Sequence, residues 1–157
     1  MIKVDRGGQI TYHGPGQFIF YTLIDLKRKK INTREMVTLL EQSVIQFLND
    51  FNIKAYAECQ APGVYINTKK ICSIGLRIRR GAAFHGLAFN VLMDLQPFLR
   101  IHPCGFKTLQ MTQLAEFLPS IHLEQIRLKL ADYLIKNLGY NNPITQSEKS
   151  HGTTYSE

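Results

Sequence analysis

The chain has 157 residues, 45% of them hydrophobic and 20% charged, with a formal net charge of +7. That size suits one domain able to bury roughly 68–70% of its unfolded surface, and no apolar run approaches the ~18 residues of a membrane span. The three cysteines, Cys59, Cys72 and Cys104, lack paired spacing, and Met1-Ile2-Lys3-Val4-Asp5 holds no signal-peptide apolar region; both features argue against a disulfide framework and for a cytoplasmic protein.

In chain order, Arg6 to Gln17 comes first, with four glycines and a proline in twelve residues. Glycine permits positive φ and close backbone approach, so this loop is a candidate ligand cradle. It is neither G-x-G-x-x-G nor G-x-x-x-x-G-K-[ST], which excludes the dinucleotide fingerprint and the phosphate loop. The run Phe18 to Ile24 is apolar and β-favouring. Lys27-Arg28-Lys29-Lys30 reads as a solvated loop. Residues 32–51 read as an amphipathic helix, with Asn32 and Glu35 as a capping box and a stripe of Met36, Leu40, Val44, Phe47 and Phe51.

The middle of the chain reads as β structure. Gly63–Ile66 and Lys70–Ile78, joined through Asn67-Thr68-Lys69, form a predicted hairpin. A further strand is expected over Gly86–Leu92. A second helix is expected from about 121 to 138, with a stripe of Leu123, Ile126, Leu130, Leu134 and Leu138 and a stop at Gly139. The polar, aperiodic stretch 140–157 reads as a tail. The order β, α, β-hairpin, β, α gives an α+β fold with a mixed or antiparallel sheet and packed helices.

The basic residues fall into two clusters, 27–30 and Lys69-Lys70 with Arg77, Arg79 and Arg80. A basic surface favours acidic partners. No nucleic-acid-binding motif accompanies either cluster, so nucleic acid is not expected as a partner. Strand alternation places Lys70 and Cys72 on one face. A thiol near an ammonium is a candidate nucleophile, and any of the three cysteines qualifies. Cys104 stands out because His102-Pro103-Cys104-Gly105 is a loop whose backbone amides can point at a bound group. No metal is expected, because the histidines and cysteines lack ligand spacing.

Four segments in order resemble the signatures of the lipoyl(octanoyl) transferases. They are Arg6 to Gln17; Ala61-Pro62-Gly63-Val64-Tyr65 followed by Lys70 to Ile78; Phe84 to Val91; and Ile101 to Gly105. The resemblance covers 4–138 and implies a fold similar to the catalytic domain of biotin and lipoate protein ligases. It implies transfer of an octanoyl group, without a cofactor, from octanoyl-acyl carrier protein to a lysine of lipoyl domains. Those acceptors belong to 2-oxoacid dehydrogenase complexes and the glycine cleavage H protein.

By motif position, the resemblance assigns the nucleophile to Cys104 and its partner to Lys70, with Cys72 a bystander. It places acyl contacts on Arg6, Gly7, Gly8, Gln9, Ile10, Thr11, Tyr12 and His13, on Ser73, Ile74 and Gly75, and on Gly86, Leu87 and Ala88. The implied chemistry is thioester exchange through a Cys104 acyl-enzyme. A free thiol of pKa about 8.5 is a few per cent ionised at neutral pH, and a nearby ammonium raises that share. Burying eight carbons at about 0.8 kcal/mol per CH₂ contributes roughly 5 kcal/mol towards positioning the carbonyl.

Family members carry strands and a helix ahead of the first motif. Against them the chain reads as N-terminally short, which is expected to leave a sheet edge and one pocket wall uncovered. Two other functions compete. An ATP-dependent lipoate or biotin protein ligase on the same fold has no need of the Cys104/Lys70 pair. A non-catalytic module would bind carrier or lipoyl domains without forming an acyl-enzyme.

Overall fold

The computed structural model describes residues 10–101 and 109–141. A sheet of six strands is covered on one face by helices. The strands are β1 (Gln17–Tyr21), β2 (Ile24–Asp25), β3 (Tyr56–Ala57), β4 (Gly63–Ile66), β5 (Lys69–Arg79) and β6 (Ala82–Asn90). The helices are α1 (Leu26–Lys29), α2 (Thr33–Asn49) and α3 (Leu123–Asn137). Sheet order is β1-β6-β5-β4-β3, with β2 also on β6, and every named pairing is antiparallel. The α+β expectation holds, in its antiparallel form.

Local chemistry explains the elements. Asn32 caps α2: its side chain accepts from the Glu35 N–H while Glu35 accepts from the Asn32 N–H. The stripe of α2 buries Met36, Leu40, Val44, Phe47 and Leu48 against β4, β5 and β6. Each such side chain contributes about 1.5–3 kcal/mol when fully buried. Phe47 meets Phe89 of β6 edge to face at 5.6 Å, a favoured aromatic geometry. α3 packs along α2 through Ile126, Leu130 and Leu134, and Asn137 Nδ2 donates to Ser43 Oγ at 3.1 Å and Gln46 Oε1 at 3.0 Å. Leu123, expected in the stripe, is exposed instead, because α3 begins there. Gly139 follows the helix with φ +72, as a stop signal should.

The hairpins are tighter and longer than the sequence pattern suggests. Asn67 and Thr68 turn β4 into β5 with φ 47 and 70, and Arg80 and Gly81 turn β5 into β6 with φ 54 and 88. Two consecutive positive φ values mark a type I′ turn, which matches the twist of the flanking strands. β6 therefore starts at Ala82 and not at Gly86. The run expected as one strand over 18–24 is broken between Tyr21 and Ile24. Lys27-Arg28-Lys29-Lys30, expected as a solvated loop, instead falls in one helical turn, Leu26–Lys29, capped by Asp25 and ended at Lys30.

Candidate active site

The open face of the sheet carries the site, and its floor follows from register. Ser73 pairs with Ala88, which pairs with Ile19; Gly75 pairs with Gly86, which pairs with Tyr21. These two rows put Ser73, Gly75, Gly86 and Ala88 side by side on the face away from the helices. These four small residues form a trough-like strip bordered by Ile19 and Tyr21, with Gly86 and Ala88 themselves buried. Strand alternation turns the other two assigned contacts away. Leu87 is buried in the helix-covered core and Ile74 packs against that core, so neither lines the open face.

Lys70 closes one end of the trough. The register between β4 and β5 shifts: Val64 pairs with Cys72, but the next residue, Tyr65, pairs with Lys70. The extra residue in β5 is a β-bulge, and it moves Lys70 to the opposite face from Cys72. The expectation that the two share a face fails because alternation holds only along an unbroken ladder. Lys70 is fully buried. Its Nζ lies 5.3 Å from the centroid of the Tyr65 ring, within cation–π range. Tyr65 is fixed in turn by donating its hydroxyl to the Ala61 carbonyl at 2.7 Å.

Gly63 makes room for the lysine stem. It has φ +146, and a Cβ there would stand 2.3 Å from the Cys72 carbonyl oxygen and 2.5 Å from Lys70 Cε. Its N–H donates to Glu41 Oε1 at 3.0 Å. Glu41 is a buried carboxyl on α2. Burial raises its pKa above the usual value, opposed by the Gly63 N–H, Arg34 and Lys70. Cys72 lies in the core, and its thiol donates to the Ser73 carbonyl at 3.8 Å. Burial drives that thiol far above the ordinary range, against the pull of Lys70, which leaves it protonated and unreactive. Cys59 is exposed on the 57–62 loop and accepts from Arg34.

A hydrogen-bond chain links the glycine-rich loop to Lys70. His13 Nδ1 donates to Gln17 Oε1 at 2.7 Å, Gln17 Nε2 donates to Asn90 Oδ1 at 2.8 Å, and Asn90 Nδ2 donates to the Thr112 carbonyl at 2.9 Å. Thr112 N–H donates to the Lys70 carbonyl at 3.0 Å, and Lys70 N–H donates to the Gln110 carbonyl at 2.9 Å. Where β6 ends at Asn90, the 110–112 segment thus continues the ladder beside Lys70, with Met111 bridged in parallel. Asn90 is a buried amide spanning loop, strand and segment, and sequence reasoning passed over it. Its signal was a polar residue ending an apolar strand. Gly16 seats the loop on β6: its φ is +80, its carbonyl accepts from Val91 and Leu92, and a Cβ would stand 1.7 Å from the Leu92 oxygen. Tyr12 packs edge to face on Phe98 at 5.5 Å. Ile10, Thr11 and His13 complete the described part of the loop.

Arg6, Gly7, Gly8, Gln9 and Cys104 lie outside the described residues, as does nearly all of the expected tail. Among the described residues, no three His, Cys, Asp or Glu side chains come together to hold a metal. No helix there is long and apolar enough to cross a membrane.

Comparison with known proteins places this arrangement. Residues 1–135 match the family model of the lipoyl protein ligase A/B catalytic domain. The chain is 52% identical over 140 residues to an octanoyltransferase of Photorhabdus laumondii, covering 89% of the chain and 66% of the relative. It is 54% identical over 138 residues to an octanoyltransferase of Buchnera aphidicola, covering 88% and 65%. The chain thus spans less than two thirds of the length of these relatives. Among solved structures, a bipartite lipoate protein ligase of Thermoplasma acidophilum superposes with a TM-score of 0.67 at 19% identity, over 90% of the chain and 60% of that protein. A biotin protein ligase of Aquifex aeolicus gives a TM-score of 0.61 at 21% identity, over 78% and 53%. At those identities the structures speak for the fold, which is the one expected from the sequence.

Proposed function

The chain belongs to the lipoyl protein ligase A/B catalytic-domain family, and from that premise we propose that it transfers an octanoyl group from acyl carrier protein to a lysine of a lipoyl domain, through a thioester on Cys104. The observation that carries this reading is a lysine fully buried at the end of a strip of small residues on the sheet face away from the helices. An amine enclosed at that position, away from bulk water, is suited to passing a proton to and from a reacting group. The octanoyltransferase relatives supply the acyl group and the reaction class.

The steps balance as follows. The Cys104 thiolate attacks the thioester carbonyl of the donor, and the carbon–sulfur bond to the carrier breaks. The Lys70 ammonium gives its proton to the departing carrier thiolate. The acceptor amine then attacks the Cys104 thioester, and its proton passes to the Lys70 amine as the amide forms. Cys104 thiolate and Lys70 ammonium are thereby restored. Chain reach is compatible with this pairing. Cys104 is six residues from Gln110, whose carbonyl holds the Lys70 N–H, and six residues extend at most about 20 Å. The trough of Ser73, Gly75, Gly86 and Ala88 takes the acyl chain. His13, Gln17 and Asn90 fix the loop at the end of β6 beside it.

Mass measurement of the intact protein after incubation with octanoyl carrier protein tests the reading. One octanoyl adduct is expected, and Cys104→Ala should abolish it. An adduct that persists in Cys104→Ala rejects the nucleophile. The same fold occurs in a lipoate-protein ligase bound with ATP, so transfer that requires ATP would replace this reading with a ligase.

A further inference from the structure

Two basic clusters some fifty residues apart in sequence meet at one end of the sheet. The Leu26 N–H donates to the Gly81 carbonyl at 2.9 Å, β2 pairs with Ala82 and Ala83, and a Cβ on Gly81 would lie 2.7 Å from the Lys27 stem. These contacts hold α1 against the β5–β6 turn. Lys27, Arg28, Lys30, Arg79 and Arg80 are all exposed there. Among the described residues none of these five is in an ion pair. The neighbouring carboxylate, Asp25, accepts from the Arg28 N–H at 3.0 Å as the cap of α1. Arg77 lies one step back on the open face, paired across the ladder with Phe84.

This surface is both charged and apolar. Leu23 is 77% exposed and Ile78 39% beside the turn, and Tyr21, opposite Gly86 further along the sheet, is 70% exposed. A surface built for phosphates alone needs no such side chains, whereas a protein interface combines apolar contacts with a charged rim. The span to Lys70 then separates the two protein substrates. Lys70 to Arg79 is nine steps along β5, roughly 30 Å at ~3.3 Å per residue. A protein seated on the turn cannot bring its own surface lysine that far, because a lysine side chain covers only a fraction of the distance. A thioester on a long flexible arm can lie along the trough and reach it.

We propose that the basic end of the sheet, formed by α1 and the β5–β6 turn, docks the acidic carrier protein that delivers the acyl thioester. The proposal rests on the transferase reading for the identity of the donor. Opposite charge at this surface speeds encounter and fixes orientation, and the effect weakens with salt.

The test uses the whole chain, an Arg79→Glu/Arg80→Glu variant, and a milder Arg79→Gln/Arg80→Gln variant in case charge reversal impairs folding. Binding of unacylated carrier protein is titrated at low and at physiological salt. Transfer is measured with octanoyl carrier protein and with a small soluble octanoyl thioester. The expected result is carrier binding at least tenfold weaker in the Glu variant and severalfold weaker in the Gln variant. The salt dependence should flatten, and kcat/KM should fall for the carrier donor but not for the small thioester. Absence of carrier binding by the unaltered chain overturns the proposal. So does unchanged binding in both variants, an equal loss with the small thioester, a change confined to KM for the lipoyl domain, or tighter binding of a DNA duplex than of carrier. Carrier binding that responds to the variants while neither thioester is consumed supports the docking surface and refutes the transferase reading instead.

Discussion

Lys70 and Arg79 stand near the two ends of β5, one enclosed and one exposed. Both are long cationic side chains in a basic region of the chain, and nothing in their residue type separates them. Their neighbours do. At the Lys70 end a bulge redirects the side chain, Tyr65 covers it, Gly63 leaves room for its stem, and the 110–112 segment closes the ladder over its backbone. At the Arg79 end a tight turn terminates both strands, with β2 and α1 alongside. Enclosure makes a charge expensive and chemically useful, while exposure makes it cheap and useful at long range.

Substitution at the buried end is expected to have the largest effect. Lys70→Met keeps the stem and removes the charge, so octanoyl transfer should fall by about 10²–10⁴-fold. Circular dichroism should show the fold retained. Transfer within threefold of the unaltered chain would return Lys70 to a structural role and remove the contrast between the two ends.

The next effect concerns the room made for that lysine. Gly63→Ala places a methyl group against the Cys72 carbonyl and Lys70 Cε at a φ that disfavours a side chain. A loss of about 2–4 kcal/mol is expected, read as a lower denaturant midpoint at unchanged m-value. A loss below about 0.5 kcal/mol would mean that the strands part easily and that Lys70 is loosely enclosed.

The smallest effect is a pH dependence. Burial raises the Glu41 pKa in the folded state above its unfolded value. Between those two values the folded protein holds more protons than the unfolded chain. Stability therefore falls as pH rises from the ordinary carboxylate range through the folded pKa, and recovers on acidification. Glu41→Gln keeps an acceptor for the Gly63 N–H and cannot titrate. Its stability relative to the unaltered chain should rise with pH across that window, measured by urea unfolding at several pH values. A difference independent of pH would show that Lys70 and Arg34 fully compensate the buried carboxylate.

Much of the site was legible where the signal is local. Asn32 with Glu35 and the spacing from Met36 to Phe47 locate α2, because capping and a 3.6-residue period are properties of a short window. The two-residue turn at Asn67-Thr68 was nearly legible for the same reason. Asn90 and Glu41 were missed because a polar residue in an apolar stretch shows its purpose only through partners distant in sequence. The resemblance placed acyl contacts on Ile74 and Leu87 together with their neighbours, whereas a strand sends adjacent side chains to opposite faces.

By itself, the sequence determined the α+β class, both long helices, the β4–β5 hairpin and Lys70 as a residue to watch. These follow from capping, periodicity and turn chemistry, and from motifs that survive as words in the chain. Only the tertiary structure decided that Lys70 leaves the face of Cys72, that four of the six trough residues share the open side, and that two remote basic clusters become one surface. Each of those outcomes depends on register between strands, and register is set by which distant residues pair and pack, a quantity no stretch of sequence carries alone.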